Sequence, residues 1–297
     1  MIKQFQIMGV INITPNSFSS QTPLSSSDEL LKTIETYDAL GCDVYDFGAE
    51  STAPFNKSIT ESEELDRFKK ILKPLIDSKP DVFKAKRISI DTYKAPVFET
   101  LYSWFENIDY KEIIWNDVSG VLDEQAKQTL LNCPRAQYVF SHTHVPKREL
   151  TSHHMDYVLE DLAISDLVDV FQRAHETLKG WGVLSRVYLD PCFGFSKSEK
   201  QNLELLKELP YLIRFTEESL STNFRWLIGI SKKSFLQNLT SLEGEEIEKS
   251  EKQRRSEFLH HSLLVKWMHE LPKGGEYLFR VHDPLIVQLS INSFKYL

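Results

Sequence analysis

Eight short apolar runs recur along the chain, and nearly every one holds or runs into a polar or charged residue able to do chemistry. Residues 5–13 carry Asn12, 44–47 carry Asp46, and 88–90 lead into Asp91. Residues 113–115 run into Asn116, 138–140 into His142, and 187–189 into Asp190. Residues 226–230 lead to Ser231 and Lys233, and 277–281 hold Arg280 and precede His282. A parallel strand buried on both faces reads as such a run, and the next parallel strand needs a helical crossover. The stretches between the runs are long enough for one helix each. Eight strand–helix units within 297 residues predict an α/β chain forming one (β/α)8 TIM barrel, a single domain over 1–297. In that fold the strand C-termini carry the active site, so these polar residues are expected around one mouth.

Helix punctuation supports the crossovers. Ser26-x-x-Glu29, Thr60-x-x-Glu63 and Ser198-x-x-Gln201 read as capping boxes, each followed by an apolar stripe at helical spacing. Residues 155–178 and 256–271 read as long helices, and 284–296 as the closing one. Residues 238–255 are strongly polar and predict an exposed loop and helix start.

Composition narrows the function. The net charge of −8 argues against nucleic-acid or anionic-membrane surfaces, which need basic faces. No apolar run is long enough to span a bilayer. Three widely spaced cysteines without a CxxC fit a reducing compartment better than a disulfide framework. Strand-like sequence begins almost at once, leaving no room for a signal peptide, so the cytoplasm is expected.

After the first run, Met8-Gly9-Val10-Ile11-Asn12-Ile13-Thr14-Pro15-Asn16-Ser17-Phe18-Ser19 opens a long Ser-rich loop, a length usually reserved for functional lids. Further segments follow in order: Asp46-Phe47-Gly48-Ala49-Glu50-Ser51-Thr52, Ile90-Asp91-Thr92, Asn116-Asp117-Val118-Ser119-Gly120, Asp190-Pro191-Cys192-Phe193-Gly194-Phe195-Ser196-Lys197, Ser231-Lys232-Lys233-Ser234, and Arg280-Val281-His282-Asp283. With these six at predicted strand ends, essentially the whole chain resembles the dihydropteroate synthases, folate-pathway enzymes built on a pterin-binding (β/α)8 barrel. The resemblance implies condensation of 4-aminobenzoate with (7,8-dihydropterin-6-yl)methyl diphosphate to give 7,8-dihydropteroate and diphosphate.

For that reaction Asp91 and Asp190 supply carboxylates for the N–H groups of a pterin edge, Asn116 donates and accepts, and Lys233 donates. A single strand-end Asp is often only a structural cap, but the set matches one heterocycle. Asn12 offers an amide oxygen to Mg2+, a cation that keeps waters and contacts substrate phosphates. Arg280 and His282 lie two apart on the last strand and share a face, near the barrel's habitual phosphate site, and Thr52 adds a hydroxyl. With Mg2+ they are expected to neutralise the diphosphate. By resemblance, 4-aminobenzoate rests near Pro54, Phe195 and Ser234, although Phe195 also suits plain core packing. The resemblance also implies a homodimer through the late helices.

Three loop positions depart from the family pattern. Ala53 stands where an Arg is usual, and Asn16 and Ser20 where Asp is usual. Either another cation such as Lys57 substitutes, or turnover is slow. Cys192 and Ser196 replace glycines, and Ser141-His142-Thr143 replaces Met-His-Met. Two other readings follow: a pterin-binding paralogue with little or no synthase activity, and a pterin-dependent methyltransferase, against which the Arg280-x-His282 anion element argues. His142 and His144 share a strand face, but no Cys or carboxylate at convincing spacing joins them as a metal ligand.

Overall fold

All eight apolar runs become strands: β1 (Phe5–Asn12), β2 (Val44–Gly48), β3 (Arg87–Asp91), β4 (Glu112–Asp117), β5 (Ala136–Ser141), β6 (Val187–Asp190), β7 (Arg225–Ile228) and β8 (Glu276–Val281). Each pairs in parallel with its neighbours in sequence, and β8 returns to β1 with Phe5 opposite Tyr277, closing the barrel. The computed structural model describes residues 3–14, 24–52, 57–161, 163–241 and 247–296. Around the strands lie α1 (Ser27–Ala39), α2 (Glu61–Ser78), α3 (Ala95–Trp104), α4 (Glu124–Asn132), α5 (Ile164–Gly180), α6 (Glu199–Leu220), α7 (Ser234–Asn238), α8 (Lys249–Glu270) and α9 (Pro284–Phe294).

Strand side chains alternate between the helices and the lumen, and the two faces differ sharply. The outer face is apolar: Phe47, Ile90, Trp115 and Phe279 are fully buried in the main core. The lumen is layered. At the strand N-termini Arg87 meets Glu112 at 2.6 Å and the Tyr188 hydroxyl at 2.6 Å. There Arg225 reaches the other Glu112 oxygen at 3.1 Å, and Gln6 donates to Glu276 at 3.0 Å. Above this plug sits an apolar layer of Met8, Val44, Ile114, Val139, Tyr188, Leu227 and Leu278. The polar chemistry lies above that layer, toward the strand C-termini.

Thr60/Glu63 and Ser198/Gln201 form full capping boxes. At α1, Ser26 accepts the Glu29 N–H, but the Glu29 carboxylate bonds the N–H of Ser25 instead of Ser26. The helix expected over 155–178 is two pieces, a 3-10 segment (Arg148–Tyr157) and α5. Arg148 ties the first piece to the barrel wall, bonding Asp117 at 2.7 Å and the carbonyl of Tyr93 at 2.9 Å. Asp166 then restarts the helix by accepting the N–H of Ala163. At the other end of the chain, α8 begins seven residues before the expected 256; Glu251 pairs there with Arg254 and Arg255, supporting a first turn with no apolar stripe.

Candidate active site

A cavity of about 400 Å³ opens at the strand C-termini. Its floor follows from parity. With Val44 inward on β2, Asp46 is inward too, fully buried just beneath the cavity. From β8, Arg280 donates Nε to Asp46 at 2.7 Å and Nη2 to Asp91 at 2.5 Å. Asp46 also accepts the Ser89 hydroxyl at 2.6 Å and the Asn116 amide N–H at 3.3 Å. That last bond fixes the orientation of Asn116. Its nitrogen faces a carboxylate, and its oxygen Oδ1 is buried without a hydrogen-bond partner among the described residues. Leaving a buried acceptor unsatisfied costs roughly 1–3 kcal/mol, and Asn116 lines the cavity. A ligand N–H would remove that penalty.

Burial raises the carboxyl of Asp91, opposed by the Arg280 guanidinium and reinforced by the nearby Asp46 carboxylate. Burial likewise pushes Asp190 up to about 6, against the N–H of Cys192, which donates to it at 2.7 Å, and the positive charges of Lys233 and Lys197. Lys233 is lowered by burial. Its ammonium lies 5.0 Å from the centre of the Phe195 ring. Gly194 sits between them at φ +83, and a Cβ there would come within 3.4 Å of the Lys233 side chain. Phe195 stacks on His154, ring centres 4.1 Å apart.

Asn12, Thr14, Thr52, Ser234 and His282 line the same cavity. His282 shares a contact of 3.1 Å with the Ser231 hydroxyl. Burial and then Arg280, Lys232 and Lys233 hold its imidazole well below the usual range, which favours the neutral ring. Among the described residues no group of three or more His, Cys, Asp or Glu could hold a metal ion. Asn12, Thr14 and Thr52 offer neutral oxygens only, a donor set that suits a cation arriving with its own phosphate and water ligands.

Asn12, Thr52, Asp91, Asn116, Asp190, Phe195, Lys233, Ser234, Arg280 and His282 all line this one cavity. Pro54, together with Ala53, Asn16 and Ser20, lies outside the described residues. His142 does not line the cavity, against expectation. Val139 and Ser141 occupy the lumen-facing parity of β5, so His142 turns outward and packs edge-on to Phe171 and His144. Lys57 is exposed and is not a lining residue; Lys232 and Lys249 are the additional lysines at the mouth. Asp46 was expected at the mouth but given no role, and Lys249 and His154 were missed as site residues. Parity on β2 signals Asp46, whereas no local signal brings His154 from the 3-10 segment onto Phe195.

The profile of the pterin-binding enzymes matches residues 8–271. The folate synthesis bifunctional protein of Arabidopsis thaliana is 29% identical over 239 residues, 79% of this chain and 47% of the plant protein. This chain therefore spans about half the length of that relative. A dihydropteroate synthase of Streptococcus pyogenes serotype M6 is 29% identical over 229 residues, 76% of this chain and 75% of its own. Among solved structures, the dihydropteroate synthase of Clostridium difficile, crystallised in the presence of pteroic acid, superimposes with a TM-score of 0.74 at 26% identity, covering 99% of this chain and 97% of that one. By a match that runs through seven of its eight strands, the chain belongs to the family of pterin-binding enzymes.

Proposed function

We propose that the protein is a dihydropteroate synthase, joining 4-aminobenzoate to (7,8-dihydropterin-6-yl)methyl diphosphate with release of diphosphate. The observation that carries this reading is the cavity floor. An unpartnered Asn116 oxygen stands there with the Asp91 and Asp190 carboxylates and the Lys233 ammonium. Three acceptors and one donor complement the N–H-rich edge and the ring carbonyl of a pterin.

In this reading Asp91, Asn116, Asp190 and Lys233 hold the pterin, and Phe195, Ser234 and Pro54 seat the aromatic amine. Asn12, Thr52, Arg280 and His282 take the diphosphate. Arg280 already gives Nε–H and one Nη2 hydrogen to carboxylates, so its Nη1 group and the second Nη2 hydrogen are what it offers the anion. Neutral His282 acts as a hydrogen-bonding group rather than a charge. Mg2+ bound to the diphosphate, with Asn12 as its protein oxygen, would supply neutralisation of the leaving group. The reaction needs no protein nucleophile, and burial pushes the neighbouring Cys192 thiol up to about 12, which suits displacement by the amine itself.

We further infer a cytoplasmic homodimer. No helix among the described residues is long and apolar enough to cross a membrane. Phe258 on α8 and Leu285 and Leu289 on α9 are 62%, 42% and 49% exposed on two helices packed side by side. Light scattering after gel filtration checks the dimer.

The deciding assay is diphosphate release from the pterin substrate with and without 4-aminobenzoate. Amine-dependent release with Mg2+ supports the synthase. Pterin binding without release would instead indicate a paralogue that only binds. Demethylation of 5-methyltetrahydrofolate would identify a methyltransferase.

A further inference from the structure

Lys197 is 2% exposed, yet no carboxylate within ion-pair distance answers its charge among the described residues. Its ammonium instead donates to three backbone carbonyls: His142 at 3.1 Å, Cys192 at 3.1 Å and Phe195 at 3.0 Å. An ammonium has three N–H donors, so the cage is complete. Two of the carbonyls bracket the loop after β6 and the third belongs to the end of β5. The lysine thus pins that loop to the neighbouring strand.

That loop is one that does not hold its shape by local preference. Cys192, Gly194 and Ser196 alternate in the left-handed region at φ 53, 83 and 48, and two of them are not glycine. Two ordered groups depend on it. Cys192 N–H orients Asp190, and Phe195, whose own carbonyl Lys197 holds, presents its ring to the cavity. The Ser196 hydroxyl adds a bond to the His154 carbonyl at 2.9 Å, carrying the same constraint to the ring stacked on Phe195.

From this arrangement we infer that Lys197 is the positioning residue of the aromatic-amine seat: an internal ammonium that fixes Phe195 and His154 without touching either substrate. The inference rests on the functional reading above, in which Phe195 seats 4-aminobenzoate. A uniquely cationic role makes a specific claim. A small monovalent cation supplied from solution should fill the same carbonyl cage when the side chain is shortened.

The test uses full-length Lys197→Ala and Lys197→Met, with KM for 4-aminobenzoate, kcat, and pterin affinity by calorimetry. The alanine variant should raise KM for the amine by about tenfold or more, because a displaced contact surface forfeits binding before chemistry. Pterin affinity should fall by much less than KM rises, since Asp91, Asn116 and Lys233 do not depend on the cage and only Asp190, through the Cys192 N–H, is tied to the loop. Ammonium or methylammonium should restore the alanine variant toward the wild-type KM. Tetramethylammonium at equal ionic strength should not, and the methionine variant, whose side chain fills the space, should not respond. Equal KM values for wild type and Lys197→Ala would overturn the inference, and so would parallel loss of pterin and amine binding without rescue. If Lys197→Ala does not fold, the methionine variant is decisive: a wild-type amine KM in that chargeless side chain overturns the role. Wild-type protein that binds pterin but no 4-aminobenzoate would overturn the functional reading, and this inference with it.

Discussion

Replacing Asp46 with asparagine probes the part of the site that no ligand touches. The carboxylate is fully buried and accepts from the Arg280 Nε at 2.7 Å, the Ser89 hydroxyl at 2.6 Å and the Asn116 amide at 3.3 Å. Removing one partner of a buried ion pair typically costs 3–5 kcal/mol. Arg280 keeps Asp91 at 2.5 Å and its side chain is 23% exposed to the cavity, so the lower end applies, about 3 kcal/mol. For a chain of 297 residues that lowers Tm by roughly 5 °C. Binding should fall as well. The new amide at position 46 no longer obliges Asn116 to present its nitrogen, so the Asn116 oxygen loses its fixed aim at the cavity. A loss of about tenfold in pterin affinity corresponds to one weakened hydrogen bond, roughly 1.4 kcal/mol. Calorimetric melting and pterin titration measure both. An unchanged Tm would refute the Asp46–Arg280 pair, and a reduced Tm with unchanged pterin affinity would refute the claim that Asp46 aims Asn116.

Asn116→Ala removes the cavity acceptor itself and should weaken pterin binding by about 10- to 100-fold while leaving Tm nearly unchanged, because an unsatisfied group disappears with it; equal affinity by calorimetry rejects the floor assignment. Asp190 gives the ligand a charge-assisted bond only when ionised, and burial raises it to about 6. Pterin affinity should therefore drop as pH falls through about 7 and 6, the ranges of Asp91 and Asp190, and Asp190→Asn should remove the lower step while the Asp91 step stays. His154→Ala should raise KM for the amine several-fold with pterin affinity kept, since it removes the ring at 4.1 Å behind Phe195; steady-state kinetics with each substrate varied will tell. Ala53→Arg combined with Ser20→Asp should raise kcat if the departures at those loops slow closure, and an unchanged rate means that the lysines at the mouth already suffice.

The strands and the cavity's main residues were legible because two-sided burial leaves an unmistakable apolar signature and each run ends where chemistry must sit. What stayed hidden is orientation. The run at 138–140 is apolar on both faces, so nothing within it says that Ser141 points inward and His142 outward; the packing of Val139 in the lumen decides. Arg280 was legible as a cation on the last strand, but its engagement by Asp46 and Asp91 arises from three strands meeting. The 3-10 segment was unreadable for a similar reason. Its shape is dictated by Arg148 reaching Asp117, a contact across 31 positions of sequence.

The plug at the N-terminal end of the lumen has a consequence for traffic. Arg87, Glu112, Tyr188, Arg225, Gln6 and Glu276 interlock there beneath an apolar layer, so the working cavity is a well with a sealed base. For the proposed reaction, the molecule seated on the floor must enter before the one seated at the rim, and departure runs in reverse. A rim ligand bound over an occupied floor would therefore lengthen the residence of whatever lies beneath it. In kinetic terms the proposed reaction would then run single-file, and initial-rate patterns that show random binding of the two substrates would refute that order.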